Sequence, residues 1–350
     1  MTDIHFPAEW DSHSAVWSAW PSAADLWGDN LAPAREEVAL FFNAIACPDP
    51  DAPELRGELI KVLVNGGEAR DSAEKQLAEL ISDGRAEIFD ADIGDIWLRD
   101  TGPLFARKNK KTIATGFRFN GWGGKYLLGS DAKMADIVSG LEGLKNNRHD
   151  YIIEGGALET DGMGTIITTR QCLLNKNRNP AISEKEIEAA LKETLGVEKT
   201  IWLEEGLVND HTDGHVDNIA RFLSSGVVGC MRPTGDNDPN ADVYKSIYKT
   251  LSKATDANGN RLEIIEIPSP GCITDLNGEV IPASHMNFYI ANHSLIVPTY
   301  VETDAQQLVA DEAVDLLAEA IGRPDIYAIN APAVLTGGGS FHCISQQVPA

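Results

Sequence analysis

Apolar residues recur at three- and four-residue spacing in six stretches of the chain, which predicts six amphipathic helices. These are PAREEVALFFNAI (33–45), DSAEKQLAELIS (71–82), DAKMADIVSGL (131–141), SEKEIEAALKETLG (183–196), ADVYKSIYKTLSKAT (241–255) and DAQQLVADEAVDLLAEAIG (304–322). The fourth is the best marked. Ser183 can cap it, Glu186 completes a capping box, Ile187, Ala190, Leu191 and Leu195 share one face, and Gly196 supplies the stop. Short runs rich in β-branched and aliphatic residues lie between the helices: ELIKVLV, TIITT, KTIWL, VVGCM, LEIIEI and HSLIVPTY. They predict strands, and ALETDGMGTIITT, with Asp161-Gly162 near its centre, predicts a hairpin.

From the second helix onward the helix centres fall roughly 55–65 residues apart, with two or three strands in each interval. That rhythm suits a repeated ββαβ-type unit rather than the one-strand, one-helix alternation of a doubly wound sheet. No sequence repeat accompanies it, and no Pro- or Ser-rich linker divides the chain. Residues 1–350 are therefore expected to form a single α/β domain.

With 350 residues, 43 % of them hydrophobic, the chain can bury a substantial core. The start, MTDIHFPAEW, has neither the basic region nor the apolar run of a signal peptide, and no apolar stretch approaches membrane-spanning length. A cytoplasmic protein without a membrane partner is expected. Fifty-three acidic residues against twenty-nine basic ones give a net charge of −24, a field that repels nucleic acid and draws in cations. The five cysteines are odd in number, widely spaced and without a CxxC. Reduced thiols are expected, rather than a disulfide framework or a zinc ribbon.

Four polar stretches carry candidate chemistry. The chain ends LTGGGSFHCISQQVPA, with Cys343 seven residues from the terminus, where chains usually fray unless tied down. NDHTDGHVDN (209–218), written as a strand, puts His211, Asp213, His215 and Asp217 on one face; the competing reading is a polar turn, preferred for Asp213. In DIGDIWLRDTGPLF, Asp100 either accepts amide hydrogens within a turn or points into a cleft, and Trp97 is either core or cleft wall. In YIIEGGALETDG, Glu154 closes an apolar strand against two glycines and needs a partner if buried, whereas Glu159 beside the hairpin turn is expected to be solvated. NGWGGKY (120–126) lacks the Lys-Ser or Lys-Thr of a phosphate loop.

Asp100, Glu154, His215, Asp217 and Cys343 together offer three carboxylates, an imidazole and a thiol. A guanidinium suits this set. It is planar, cationic and rich in N–H donors, so carboxylates hold it through charge-assisted hydrogen bonds. Its central carbon is then open to a thiolate, with an imidazole to move the proton.

The segments PAEW, WLRDTGP, FNGWGGKY, EGGALETDG, CLLNKNRNP, DGHVDN, MNFYIAN and GGGSFHCISQQ resemble the agmatine deiminase family, related to bacterial peptidyl-arginine deiminases. The resemblance spans nearly the whole chain. It implies the guanidine-modifying (pentein) fold, a five-bladed pseudo-symmetric α/β propeller of ββαβ-type units. It further implies Cys343 as nucleophile, His215 as general acid and base, Asp100 and Asp217 as the grip on the guanidinium, Glu154 as the residue that orients histidine and substrate nitrogen, and Trp97 as a substrate-side aromatic. His342 is expected to be structural. Two positions depart from the family pattern: Ser340-Phe341 stand where Asn-Ile is expected, and His211 stands where an acid is common.

The implied reaction converts agmatine to N-carbamoylputrescine and ammonia through a covalent thiouronium on Cys343, with no metal and no cofactor. Its partner is a small cationic guanidine, and a homo-oligomer is compatible with the sequence. Peptidyl-arginine or free arginine is the alternative substrate. Arg99, Arg118 and Arg221 are conceivable clamps for a substrate carboxylate, though their spacing places none of them at the site. Two rival readings are a zinc hydrolase using HTDGHVD with His342 and Cys343, and a binding protein with no reactive thiol.

Overall fold

The computed structural model describes residues 4–52, 54, 56–275 and 277–350. All six predicted helices form. The capping box at Ser183 and Glu186 closes the start of the helix Glu184–Leu195, and Gly196 ends it in the left-handed conformation at φ 75°. A second capping box, between Thr303 and Gln306, opens the long helix Asp304–Ile321. The pattern at 71–82 is interrupted at Leu77, whose backbone leaves the helical region, and divides into helices Gly67–Gln76 and Ala78–Ser82. The helix predicted over 241–255 stops at Leu251, once its buried face of Val243, Tyr244, Ile247 and Leu251 is complete.

The strands among the described residues assemble into five separate sheets. In one, Ala220–Ser224 runs antiparallel to Val227–Arg232, the chain crosses over through the helix Ala241–Leu251, and Glu263–Pro268 returns parallel to the middle strand. The same order recurs with strands Glu159–Thr160, Thr165–Thr169 and Lys199–Leu203 around the helix Glu184–Leu195. It recurs again with Tyr289–Ile290, Ser294–Thr299 and Asp325–Asn330 around Asp304–Ile321. Leu104–Lys108, Lys111–Arg118 and Asn146–Ile152 make a fourth such group around Met134–Leu141, with Ile4–His5 added at its edge. The mixed α/β fold is thus a repeated antiparallel pair plus a parallel crossover strand.

The fifth sheet joins the two ends of the chain. Gln346–Pro349 pairs antiparallel with His13–Ala19, Gln346 standing opposite Trp17 and Val348 opposite Ala15. His13–Ala19 then pairs parallel with Leu59–Val64, and that strand with Ala86–Asp90. The terminus is therefore tied into a sheet, and Cys343 sits immediately before its last strand. Ser18 Oγ donates to Ile344 O at 2.7 Å and Arg99 N donates to Cys343 O at 3.1 Å, which holds this turn from two sides.

A buried network of charges lies where the units meet. Arg221, fully buried, reaches Glu159 Oε2 with Nε at 2.6 Å and Glu9 Oε1 with Nη2 at 2.9 Å, and Nη1 donates to Phe288 O at 3.0 Å. Arg99 Nη2 and His342 Nε2 lie 3.4 and 2.9 Å from Glu9 Oε2. Glu159, expected to be solvated, is instead buried, because its strand turns the carboxylate toward Arg221 of the neighbouring sheet. Removing one member of such a network strands charge without water. Arg221→Ala is expected to lower the free energy of unfolding by about 3–5 kcal/mol in urea titrations, whereas a loss below about 1 kcal/mol would place the network among exposed, weakly coupled pairs.

Candidate active site

Cys343 lies in the turn between the short helix Pro332–Thr336 and the terminal strand. Asn287 fixes it on two sides: its Oδ1 accepts from Cys343 N at 3.2 Å, and its Nδ2 lies 3.1 Å from Sγ. The glycines before it make room. A Cβ on Gly339 would sit 3.0 Å from Cys343 Sγ and 2.7 Å from the Trp97 ring, and one on Gly337 would meet both Trp97 and Trp27 within 2.8 Å. Phe341, at one of the positions that depart from the family pattern, stacks on Phe41 with ring centroids 4.8 Å apart, so it belongs to the core.

Asp100 rides on the one-turn helix Leu98–Thr101 and points into the cleft. It does accept an amide hydrogen, but from another part of the fold: Gly156 N donates to Oδ1 at 2.9 Å, while the Trp122 indole donates to Oδ2 at 2.9 Å. Trp122 occupies a left-handed position at φ 51° within the Gly121–Gly124 turn, which aims its ring at Asp100. A Cβ on Gly156 would fall 2.6 Å from His215 Nδ1, 2.9 Å from Asp100 Oδ1 and 3.0 Å from Asp217 Oδ2. That glycine lies where the three side chains converge. Glu154 finds its required partner in Arg178, whose Nε donates to Oε1 at 2.6 Å with both side chains buried.

The segment 209–218 is not a strand. Asp210 Oδ1 accepts from Thr212 N at 2.8 Å, and Thr212 Oγ1 accepts from His215 N at 3.1 Å, so local side-chain bonds impose a turn. Asp213 and Gly214 have positive φ, and Val216–Asn218 forms a single 3-10 turn. The shared face is lost. Asp213 is occupied by Lys125, Asn177 and Arg178, and His211 stands at the cavity wall against Tyr126, Nδ1 2.8 Å from its hydroxyl. His215 and Asp217 are still brought together in the interior, both fully buried. His215 Nδ1 is 3.7 Å from Asp100 Oδ1 and its Nε2 is 4.0 Å from Glu154 Oε2. Asp217 Oδ2 is 3.6 Å from Cys343 Sγ and 2.8 Å from His342 Nδ1.

His342 is therefore a bridge between Asp217 and Glu9, with both ring nitrogens engaged. The ligand set of the zinc-hydrolase reading does not assemble around it. Among the described residues, the group with ligand atoms close enough to share an ion is instead Glu154, Cys172 and His215.

Electrostatics set the protonation of the empty cleft. Burial pushes the Cys343 thiol well above its ordinary value, and the Asp217 and Asp100 carboxylates push it further, against smaller help from Ser340 and Asn287. Burial disfavours the His215 imidazolium, but Asp100, Cys172 and Glu154 outweigh it and hold the group protonated well above the usual histidine range. Asp100 is raised by burial, with Asp217 and Glu154 adding to the shift and His215 opposing it. Burial also acts to raise Asp217, yet the His342 hydrogen bond and nearby positive charge leave it lowered.

Above these groups opens a cavity of about 200 Å³ lined by Trp27, Asp95, Trp97, Asp100, Trp122 and Cys343, with Tyr126, His211 and Thr336 among the others around it. Trp97 is both core and wall: it is buried, stacks on Trp27 at 6.2 Å, and faces the cavity. Asp95 accepts from the indoles of Trp27 at 3.0 Å and Trp97 at 2.8 Å. Among the described lining residues there is no lysine or arginine. Of the three conceivable clamps, Arg99 and Arg221 are instead consumed by the buried network, and Arg118 is exposed at the end of the strand Lys111–Arg118, outside the cavity lining.

Sequence reasoning missed Asn287, Trp122, Arg178, Glu9 and Asp95 as parts of the site. Each lies inside a stretch quoted above for other reasons, such as MNFYIAN or CLLNKNRNP, but nothing local says that its side chain turns inward.

The family model for Porphyromonas-type peptidyl-arginine deiminase matches residues 5–349. The chain is 35% identical over 372 residues to the agmatine deiminase of Stutzerimonas stutzeri strain A1501, covering 99% of this chain and 95% of that one. It is 33% identical over 372 residues to the agmatine deiminase of Ectopseudomonas mendocina strain ymp, covering 99% and 96%. Its fold matches the solved structure of the agmatine deiminase of Enterococcus faecalis with a TM-score of 0.88 at 29% identity, over 99% of this chain and 96% of that one.

A neutral thiol in the ligand-free cleft has a direct chemical signature. With iodoacetamide at pH 7, the exposed Cys272 should be labelled well before Cys343, and Cys343 labelling should keep accelerating beyond the ordinary thiol pKa of about 8.5. Peptide-resolved mass spectrometry reads both rates. A Cys343 rate that levels off below pH 8 would mean a thiolate already formed in the empty site.

Proposed function

The chain belongs to the Porphyromonas-type peptidyl-arginine deiminase family, and from that premise we propose that it is a hydrolase of the guanidinium C–N bond whose substrate is agmatine. The observation that carries the choice of substrate is the cavity wall. It presents the carboxylates of Asp95 and Asp100 and no lysine or arginine among its described residues. Agmatine is a dication, so its guanidinium and its far ammonium both suit such a wall. Arginine would bring a carboxylate into it, and a buried carboxylate without a partner is costly.

In the proposed reaction Asp100 and Asp217 accept N–H groups of the guanidinium and set its plane above Cys343. The incoming cation offsets the two carboxylates that oppose ionisation, so the substrate itself favours loss of the thiol proton to solvent. The thiolate attacks the guanidinium carbon. His215, held as imidazolium, passes its proton to the departing nitrogen, and ammonia leaves a thiouronium bonded to Cys343. Neutral His215 then takes a proton from water as that water adds to the same carbon. Collapse breaks the C–S bond and returns the hydroxyl proton to the sulfur, which releases N-carbamoylputrescine and restores the thiol and the imidazolium. Glu154, 4.0 Å from His215 Nε2 and fixed by Arg178, orients the imidazole and the leaving nitrogen. Trp97 and Trp122 exclude water from the reacting carbon.

The proposal extends to architecture and setting. The five repeated units form the blades of an α/β propeller around this cleft, and residues 1–350 act as one catalytic domain. No described helix is long and apolar enough to cross a membrane, which suits a cytoplasmic enzyme of small cationic guanidines, with no nucleic-acid or membrane partner, as monomer or homo-oligomer, and with no cofactor.

Rates of ureido product formation on agmatine, arginine and a blocked arginyl peptide, at one salt and pH, test this reading. Agmatine is expected to lead by at least about 100-fold in kcat/KM, equivalent to about 2.7 kcal/mol, and Cys343→Ala to have no turnover while keeping its fold. Equal or better values for the peptide would overturn the substrate, and turnover by Cys343→Ala would overturn the mechanism.

A further inference from the structure

Cys172 takes no part in the proposed reaction, yet it is buried against two residues that do. It lies on the one-turn helix Arg170–Leu173, where Thr169 Oγ1 accepts from its N at 3.2 Å and so fixes the direction of the side chain. Its Sγ is 3.9 Å from Glu154 Oε2, and His215 Nε2 is 4.0 Å from that same oxygen. The ligand atoms of all three side chains lie within 4.8 Å of one another. Among the described residues, neither ring nitrogen of His215 has a hydrogen-bond partner, although the residue is wholly buried. Such a ring has a nitrogen open to an ion once its proton is lost.

The spacing suits a tetrahedral ion. With bonds of about 2.0–2.3 Å, neighbouring donors around zinc stand about 3.3–3.5 Å apart, so the two contacts to Glu154 need close by only about half an ångström, and that between Cys172 and His215 by at most about 1.3 Å. One thiol, one imidazole and one carboxylate also match a borderline cation rather than magnesium or calcium, which take oxygen. Arg178 already holds Glu154 Oε1, which leaves Oε2 as the oxygen turned toward Cys172 and His215. Binding would release to solvent the protons that the Cys172 thiol and the His215 imidazolium carry without the ion, after which the Cys172 thiolate and the Glu154 carboxylate would balance its two charges, and Arg178 keeps its second partner in Asp213.

We propose that Glu154, Cys172 and His215 form an inhibitory binding site for zinc or a zinc-like divalent cation. The ion would engage Glu154 and His215 while leaving Cys343 unbound. It is thus the opposite of a cofactor: the protein works without it and stops when it binds. Inhibition rests on the proposed function, but binding does not, and the two are measured separately.

Metal-stripped wild type, Cys343→Ala and Cys172→Ser are titrated with cobalt, followed by thiolate-to-cobalt charge-transfer absorption, and with zinc against a chromophoric chelator. Cys343→Ala should bind one ion as wild type does and keep the thiolate band. Cys172→Ser should lose the band and bind zinc at least about 10-fold more weakly. In assays, wild type should be inhibited by zinc and not by magnesium, and Cys172→Ser, measured against its own zinc-free rate, should need at least about 10-fold more zinc for the same inhibition. Loss of binding in Cys343→Ala would put the ion on the nucleophile and overturn the site. So would zinc affinity unchanged by Cys172→Ser, or activity lost on chelation and restored by zinc. If Cys172→Ser fails to fold, the cobalt spectrum of Cys343→Ala and the variant Cys172→Ala still decide: no thiolate band in the first, or unchanged affinity in the second, refutes the proposal. If no guanidine in the panel is turned over, the binding measurements stand alone.

Discussion

Charges buried where the five units meet must be paired, and that requirement organises the rest of the molecule. Glu9 comes from the segment before the strand His13–Ala19, Arg99 from a one-turn helix, Glu159 and Arg221 from strands of two different sheets, and His342 from the turn before the last strand. Each sits where water cannot solvate it. Leaving any one unpaired costs more than the surrounding apolar contacts of a single side chain supply. The network can be satisfied only when distant parts of the chain arrive together, so it specifies their mutual placement in a way that non-directional burial does not. Through His342 it ends on Asp217, and the site is attached to it there.

The cleft inherits its electrostatics from that arrangement. Asp217 stays ionised because His342 and nearby positive charge offset its burial, and its negative charge then helps to keep the Cys343 thiol protonated. His215 is held charged by Asp100, Cys172 and Glu154 despite full burial. The empty site therefore carries a neutral sulfur beside an imidazolium, the reverse of a standing thiolate. A cation placed between the carboxylates changes the balance locally. In the proposed reaction this couples reactivity to the presence of a substrate of the right charge.

Close approach is the other constraint. The carboxylates, imidazole and sulfur converge so tightly that the backbone between them can carry no side chain at Gly156 or Gly339, and the rings of Trp27 and Trp97 leave none at Gly337. The glycines do not lend mobility here. They let Asp100, His215 and Asp217 meet around one point, and they let Trp97 lie against the loop that precedes Cys343.

The sequence alone determined the elements whose signals are local. The six helices followed from apolar spacing, the helix Glu184–Leu195 from its capping box and terminal glycine, and the hairpin at 157–169 from Asp161-Gly162. The polar motifs that hold Asp100, Glu154, His215, Asp217 and Cys343 were also legible, because five reactive side chains in four short motifs suggested one chemistry. The tertiary structure alone decided how charges pair. Glu159 looked solvated beside its turn and became the partner of Arg221, and the residues 209–218 alternated like a strand yet folded as a turn, because Asp210 and Thr212 bond nearer groups first. Nor could Asn287, Trp122 or Arg178 be assigned to the site, since each acts on a residue 56, 22 or 24 positions away. Periodicity and capping operate over a few residues and are written in the chain, whereas the burial that makes a charge seek a partner exists only after the units have packed.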